Sequence, residues 1–270
     1  MNLEQRLSKL KKIILKMDSL LVAFSGGLDS TFLLKIVSEV LPRHKILAVT
    51  ANSATYPKEE MLFAKNIAKR IGARHKIIKT YELQDRRFTS NPINRCYFCK
   101  KELFTRLKDI ASGFKLNFVV DASNVSDRQD FRPGNKAKLE FKIRSPLQEA
   151  GFTKEDIRKL SKKFGLSTWD KPSLACLASR IPYGIKINRQ LLEQINKAET
   201  YLRSMGFQQV RLRHYNSLCR IEVFKEDVPR LMRKRNLVIE SLKRFGYHYV
   251  TVDLEGYRTG SMNAAFLKKD

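Results

Sequence analysis

The chain has 270 residues, with 53 Lys and Arg against 27 Asp and Glu, a formal net charge of +26, and four cysteines. That length allows one large domain, or a large and a small one, around a sizeable core. No run approaches the roughly 18 apolar residues of a membrane span, the charged opening MNLEQRLSKLKKIILK is unlike a signal peptide, and the cysteines are too few and uneven for a secreted disulfide framework, so a cytoplasmic protein with no membrane partner is expected. The positive charge implies anionic partners such as nucleotides, nucleic acid or a phosphorylated metabolite. It is spread along the chain and densest at RLMRKR (230–235), and by itself reads as well as a solvated surface as a nucleic-acid groove.

Four short apolar runs, LLVAF (20–24), KILAVT (45–50), HKIIKT (75–80) and NFVVDAS (117–123), alternate with helical patterns. Leu33, Ile36, Val37, Val40 and Leu41, for example, share one helix face. Strands alternating with helices predict an α/β fold, a parallel doubly wound sheet with helices on both faces. This domain is expected to run over residues 1–184. The rhythm then changes to a helix near 189–205, two alternating strands, a helix near 228–245 and a last strand YHYVTVDL (247–254), a small α+β domain over 185–270. Pro and Gly in RIPYGIKI (180–187) interrupt both periodicities and mark the hinge.

FSGGLDST (24–31) follows the first strand and opens the first helix of the sheet domain. Gly26 and Gly27 permit a sharp turn and close approach to an anion, and Ser25, Ser30 and Thr31 add hydroxyl donors. The following helix aims its N-terminal N–H groups at the same place. A diglycine alone is commonly just a tight turn, but SGGLDS matches the SGGxDS signature of the ATP pyrophosphatase (PP-loop) superfamily and resembles neither the Walker loop nor the dinucleotide fingerprint. That resemblance implies ATP cleavage between the α and β phosphates, with Asp29 helping to hold Mg2+ on pyrophosphate. DASNVSDRQDFRPG (121–134) leaves the fourth strand at the sheet edge where open α/β proteins bind ligands. Asp121, Asn124 and Asp127 there read equally as nucleotide-binding residues or as turn and capping residues.

NRCYFCKKELF (94–104) places Cys96 and Cys99 three apart at a helix start, a spacing used by redox dithiols, zinc sites and iron–sulfur clusters. Cys219 in CRIEVF alternates with Ile221 and Val223 and reads as a small core residue. Cys96, Cys99 and Cys176 remain as candidate metal thiolates. On a four-iron cluster they would leave one iron able to present a sulfide.

SGGLDS, the long stretch from RSPLQEAGF to LACLASRIPYG (144–184) and DLEGYRTGSMN (253–263) together resemble the LarE-type sulfur transferases, over nearly the whole chain. The resemblance implies adenylation of a carboxylate of pyridinium-3,5-biscarboxylic acid mononucleotide by ATP and replacement of AMP by sulfur. The product is a thiocarboxylate on the route to the nickel-pincer nucleotide of lactate racemase. Cys176 matches the sulfur-supplying position, and Cys96 and Cys99 point to the branch in which three cysteines hold a 4Fe-4S cluster, in place of sacrificial donation of the Cys176 sulfur. The resemblance also implies a homo-oligomer and site roles for Glu199, Glu222 and Arg258, while Ser179 and Arg180 enter as site candidates through their closeness to Cys176. In QVRLRHY (209–215), Arg211 and Arg213 share one strand face. That face reads as solvated or, by the resemblance, as a grip on the substrate phosphate. A tRNA thiolase of the same superfamily is the rival reading, and a nucleotide- or RNA-binding protein with structural zinc a third; no RNA-binding appendage is recognisable, so nucleic acid is not the expected partner. The sulfide source is not written in the sequence.

Overall fold

The alternation of side chains along the first strand decides the layering of the larger unit. In the computed structural model, which describes residues 1–129, 133–172, 175–258 and 260–263, Leu20 and Val22 of β1 (Leu20–Ala23) pack into one apolar layer and Leu21 into another. Successive strand residues point to opposite faces, so a buried strand with helices above and below must be apolar throughout. The first part of the chain runs α1 (Leu3–Met17), β1, α2 (Leu28–Val40), β2 (Ile46–Asn52), α3 (Lys58–Ile71), β3 (His75–Lys79), α4 (Arg86–Thr89), α5 (Arg95–Gly113), β4 (Phe118–Val120), α6 (Gly134–Glu140), α7 (Pro146–Ala150) and α8 (Lys154–Lys163). The four strands form a parallel sheet in the order β3-β2-β1-β4. Leu10, Phe32, Ala64, Leu147 and Ile157, from α1, α2, α3, α7 and α8, cover one face. Phe104 and Leu107 of α5 with Ala137 of α6 cover the other. This is the doubly wound α/β arrangement expected from the periodicities.

The fourth run is shorter than its apolar pattern. Asp121 leaves the ladder because its N–H bonds to Arg144 O at 2.9 Å and its carboxylate accepts from Ser123 N and Oγ. DASNVSDRQDFRPG includes Asp130, Phe131 and Arg132, and LACLASRIPYG begins with Leu174 and is preceded by Ser173; these five lie outside the described residues, as does Thr259 of GYRTGSMN.

The chain divides into two compact units, residues 1–88 with 93–174, and residues 89–92 with 175–270. Residues 175–184, expected from the sequence in the first domain, thus group with the second unit. There Asn91 Nδ2 donates to Pro182 O at 2.7 Å and Ile185 O at 2.9 Å, and Arg180 is buried against Glu199. Elements of this unit are α9 (Arg189–Ser204), β5 (Val210–Tyr215), β6 (Leu218–Val223), α10 (Val228–Arg233), α11 (Arg235–Arg244) and β7 (Tyr249–Val252). Strands β5 and β6 are antiparallel across a two-residue turn in which Asn216 takes φ 55°, and β7 lies parallel to β6. The single helix expected near 228–245 is two, because the Lys234 N–H closes back three residues onto Leu231 O at 3.0 Å. Among the described residues no helix is long and apolar enough to cross a membrane.

Candidate active site

In the first unit, the carboxyl ends of β1 and β2 open onto two neighbouring cavities, the position where parallel α/β sheets bind ligands. The Phe24 N–H still pairs with Val49 O at 2.9 Å, and then the chain turns through Ser25, Gly26 and Gly27 into α2. Gly26 has φ 71°, and a Cβ there would lie 2.8 Å from Ala64 Cα and Cβ on α3, so only glycine fits. The first turn of α2 has no side-chain cap on Gly27; its N–H groups are available to an anion. Ser25 Oγ and Ser30 Oγ lie 3.0 Å apart, and the Gly27 N–H donates to Ser25 Oγ at 3.3 Å. Thr31 Oγ1 is buried with no hydrogen-bond partner.

Asp29, half-buried on the first turn of α2, accepts from Asn124 Nδ2 at 3.1 Å. Asn124 is fully buried, its N–H donates to Asp127 Oδ2 at 3.0 Å, and its own Oδ1 has no partner. Burial pushes the Asp29 carboxyl above its ordinary value, opposed by Lys154, while the Asp127 charge adds to the rise. An acidic group held above its usual range beside an orphaned carbonyl oxygen is a donor set that suits a hard divalent cation such as Mg2+. Asp121 takes a different place. Its carboxylate accepts from Ser145 Oγ at 2.6 Å and lies 3.6 Å from Lys138 Nζ, which ties β4 to the segments that follow it.

One cavity, about 580 Å³, is lined by Ser25, Gly27 and Asp29 together with Tyr56, Glu60, Lys154 and Lys171. The other, about 700 Å³ and mostly apolar, lies between Phe24, Val49, Ala51, Asn52, Met61 and Leu103. A polyphosphate suits the first and a planar base the second. Lys154, Lys171 and Glu60 were missed by sequence reasoning. Lys171 Nζ pairs with Glu60 at 2.7 Å and stands 3.6 Å over the Phe63 ring. Lys154 follows Thr153, whose capping box with Asp156 starts α8; that box was visible in the sequence, but not the cavity it faces.

Cys96 and Cys99 lie on the first turns of α5, the former exposed and the latter half-buried. Cys176, half-buried, belongs to the second unit, and Cys219 is buried there with Ile221 and Val223. Among the described residues no three His, Cys, Asp or Glu side chains are gathered around one metal position.

The second unit buries a network of charges. Arg180 donates from Nε and Nη2 to Glu199 of α9 at 2.8 and 3.0 Å, and Arg213 does the same to Glu222 of β6 at 2.9 and 2.7 Å. Burial raises the Glu199 carboxyl, but Arg180, with Arg211 and the Leu212 N–H, outweighs it and the net displacement is downward. Arg211 and Arg213 are 3% and 5% exposed, which removes the solvated-face reading of β5. Burial and the neighbouring Arg180 charge pull Arg211 down to about 10, with Glu199 opposing the fall. Arg258 is exposed and pairs with Glu255 at 2.5 Å and Asp253 at 3.8 Å. Arg220 then links Asp253 to Glu222. The buried group therefore brings Ser179, Arg180, Glu199, Arg211, Arg213 and Glu222 together, and Arg258 sits at its outer end.

Residues 16–90 match the asparagine synthase family model. The chain is 39% identical to the pyridinium-3,5-bisthiocarboxylic acid mononucleotide synthase of Lactiplantibacillus plantarum, over 92% of this chain and 90% of that protein. It is 40% identical to an uncharacterized protein of Synechocystis over 98% of this chain and all of that one. An uncharacterized protein of Methanocaldococcus jannaschii is 29% identical, over 94% of this chain and 98% of its own length. Identity at that level over almost the full length, together with a glycine-built phosphate loop at the end of β1, makes this chain a member of the LarE-type sulfur transferase family of the PP-loop superfamily.

Proposed function

We propose that this protein is an ATP-dependent sulfur transferase acting on pyridinium-3,5-biscarboxylic acid mononucleotide. A substrate carboxylate oxygen attacks the α-phosphorus of ATP, the bond to the β-phosphate breaks, and pyrophosphate leaves an acyl-adenylate. A sulfur nucleophile then attacks the acyl carbon, and the C–O bond breaks to release AMP. The observation that carries the reading is the half-buried Asp29 at the mouth of the loop, paired with Asn124 and facing Lys154. In this reading Ser25, Gly26, Gly27, Ser30 and Thr31 cradle the phosphates. Lys154 and Lys171 neutralise the leaving pyrophosphate, and Asp29, Asn124 and Asp127 hold Mg2+, which supplies charge neutralisation. Arg211, a buried guanidinium on β5, is matched to the phosphate of the mononucleotide, as the family resemblance implies. Ser179 and Arg258 complete that side of the substrate site, with Glu222 behind Arg213.

The sulfur chemistry is assigned to Cys96, Cys99 and Cys176, whose thiolates suit an iron–sulfur cluster. A bound 4Fe-4S cluster would supply an iron on which the sulfide to be transferred is held. The paired placement of Cys96 and Cys99 on the first turns of α5 supports this assignment over a sacrificial Cys176. The sparse, uneven cysteines support a cytoplasmic protein, and the family resemblance supports a homo-oligomer. The test is anaerobic reconstitution with iron and sulfide, followed by ATP and the mononucleotide. Pyrophosphate, AMP and the thiocarboxylate are expected together, with Cys176 intact by mass spectrometry afterwards. Loss of the Cys176 sulfur would establish the sacrificial route, and thiolation of added tRNA with the mononucleotide ignored would replace the reading.

A further inference from the structure

The segment that presents Cys176 is held by its backbone from two directions. Arg180 Nη1 donates to Ala175 O at 2.7 Å, to Cys176 O at 3.0 Å and to Ser179 Oγ at 3.0 Å. The other edge of the same guanidinium is closed by the Glu199 carboxylate. Arg213 repeats the arrangement: Nη1 donates to Ser179 O at 3.1 Å, and Nε and Nη2 are taken by Glu222. Ser261 Oγ accepts from Arg213 Nη2 at 2.9 Å and lies 3.1 Å from Glu222 Oε1, so the described part of the C-terminal GSMN motif closes this second clamp. The Ser179 N–H bonds to Cys176 O at 2.9 Å, which tightens residues 176–180 into a single turn between the two arginines.

An arginine fork with a carboxylate on one edge and main-chain carbonyls on the other is a planar, pre-organised brace. Arg180 is 1% exposed and Arg213 5%, so neither fork is loosened by solvent. Three oxygens already crowd the two hydrogens of Arg180 Nη1, which leaves that nitrogen no free donor for a substrate phosphate. We propose that Arg180 and Arg213 are positioning residues for the sulfur step, bracing residues 175–180 so that the Cys176 thiol stands at one place, with Glu199 and Glu222 acting through them. The proposal deepens the function proposed above, since it takes Cys176 as the residue that handles sulfur. It serves cluster ligation and direct donation alike, because both need a thiol at a fixed point.

The test is peptide-resolved alkylation of the reduced, metal-free full chain by iodoacetamide. Arg180→Lys and Arg213→Lys keep the charge and lose the fork. Each is expected to speed Cys176 alkylation by about fivefold or more, the change in local opening that follows loss of one buried charged hydrogen-bond pair. Cys219, 0% exposed in the core of the same unit, reports general loosening and is expected to stay protected. Unchanged Cys176 rates in both folded variants, or equal acceleration at Cys219, overturn the proposal. If the lysine variants do not accumulate folded, Ser261→Ala removes only the hydroxyl that closes the Arg213–Glu222 clamp; a Cys176 rate equal to that of the unaltered protein then overturns it. In turnover, lower kcat at constant KM for the mononucleotide is expected, and raised KM at constant kcat would make the arginines phosphate ligands instead. Alkylation uses neither ATP nor substrate, so its failure is distinguishable from failure of the sulfur-transfer reading.

Discussion

Replacing Gly26 by Ala perturbs the phosphate loop at the point where geometry leaves least room. At φ 71° an L residue is strained, and the added methyl carbon would sit 2.8 Å from both Cα and Cβ of Ala64. The left-handed conformation costs about 1–2 kcal/mol, and forcing a methyl group against a packed helix costs about 1–3 kcal/mol more. A central figure of about 3 kcal/mol corresponds to a fall in Tm of roughly 6–12 °C for a unit of this size. Either α3 or the loop must move, and a displacement of about 1 Å at the phosphates is expected to lower pyrophosphate release about 100-fold. Gly27 is the control. It has φ −80°, and a Cβ there would meet only Ser25 Oγ at 3.4 Å, an ordinary contact. Gly27→Ala is accordingly expected to change stability by no more than about 1 kcal/mol. Thermal unfolding of both variants, with ATP titrations monitored by pyrophosphate release, checks the reasoning. A Gly26→Ala protein that melts with Gly27→Ala and keeps the same KM for ATP would refute it.

Other substitutions separate function from stability. Asp29 is held above its ordinary 3.8, so its contribution to stability is fully present below that pH and is lost as pH rises through the raised value; Asp29→Asn is therefore expected to raise the neutral-pH Tm of the ligand-free protein while abolishing pyrophosphate release, and a lowered Tm would contradict this. Glu199 is displaced below its ordinary 4.5, so its stabilisation is present above that pH and disappears as pH falls through the lower folded value. Glu199→Gln leaves Arg180 buried without its counter-charge and is expected to cost about 3–5 kcal/mol by urea unfolding at pH 7, with the difference from the unaltered protein shrinking in acid. Burial pushes the Cys219 thiol up to about 12, so it offers no thiolate at neutral pH. Cys219→Ala should cost about 1 kcal/mol and leave iron incorporation unchanged; a loss of bound iron would return Cys219 to the ligand set. Lys171→Met should raise KM for ATP while Tm changes by a few degrees, since it removes the cation beside Glu60 from the phosphate cavity; an unchanged KM would remove Lys171 from the site.

The layers of the larger unit and the turn that carries the phosphate loop were legible because each is fixed by neighbours in the chain. An apolar strand such as Leu20–Ala23, with helical stripes on either side, has one economical packing, and SGG reports its own backbone freedom. Cys219 was likewise readable from its two-residue alternation with Ile221 and Val223. The sequence also carried the family, through motifs whose spacing survives without coordinates. What only tertiary structure decided was the company each charge keeps. Lys171 meets Glu60 across 111 positions, and Asn124 reaches Asp29 across 95. Arg211 and Arg213 read as a solvated strand face or a phosphate grip until α9 and β6 supplied the carboxylates of Glu199 and Glu222, the 177–180 turn supplied the Ser179 carbonyl, and the pair was buried. Asp121 and Asn124 stand three apart on one loop, yet one braces β4 through Ser145 while the other faces Asp29. Periodicity and backbone sterics act over a few residues and are written locally; desolvation and charge pairing depend on what the fold packs around a group, and only the folded chain sets them.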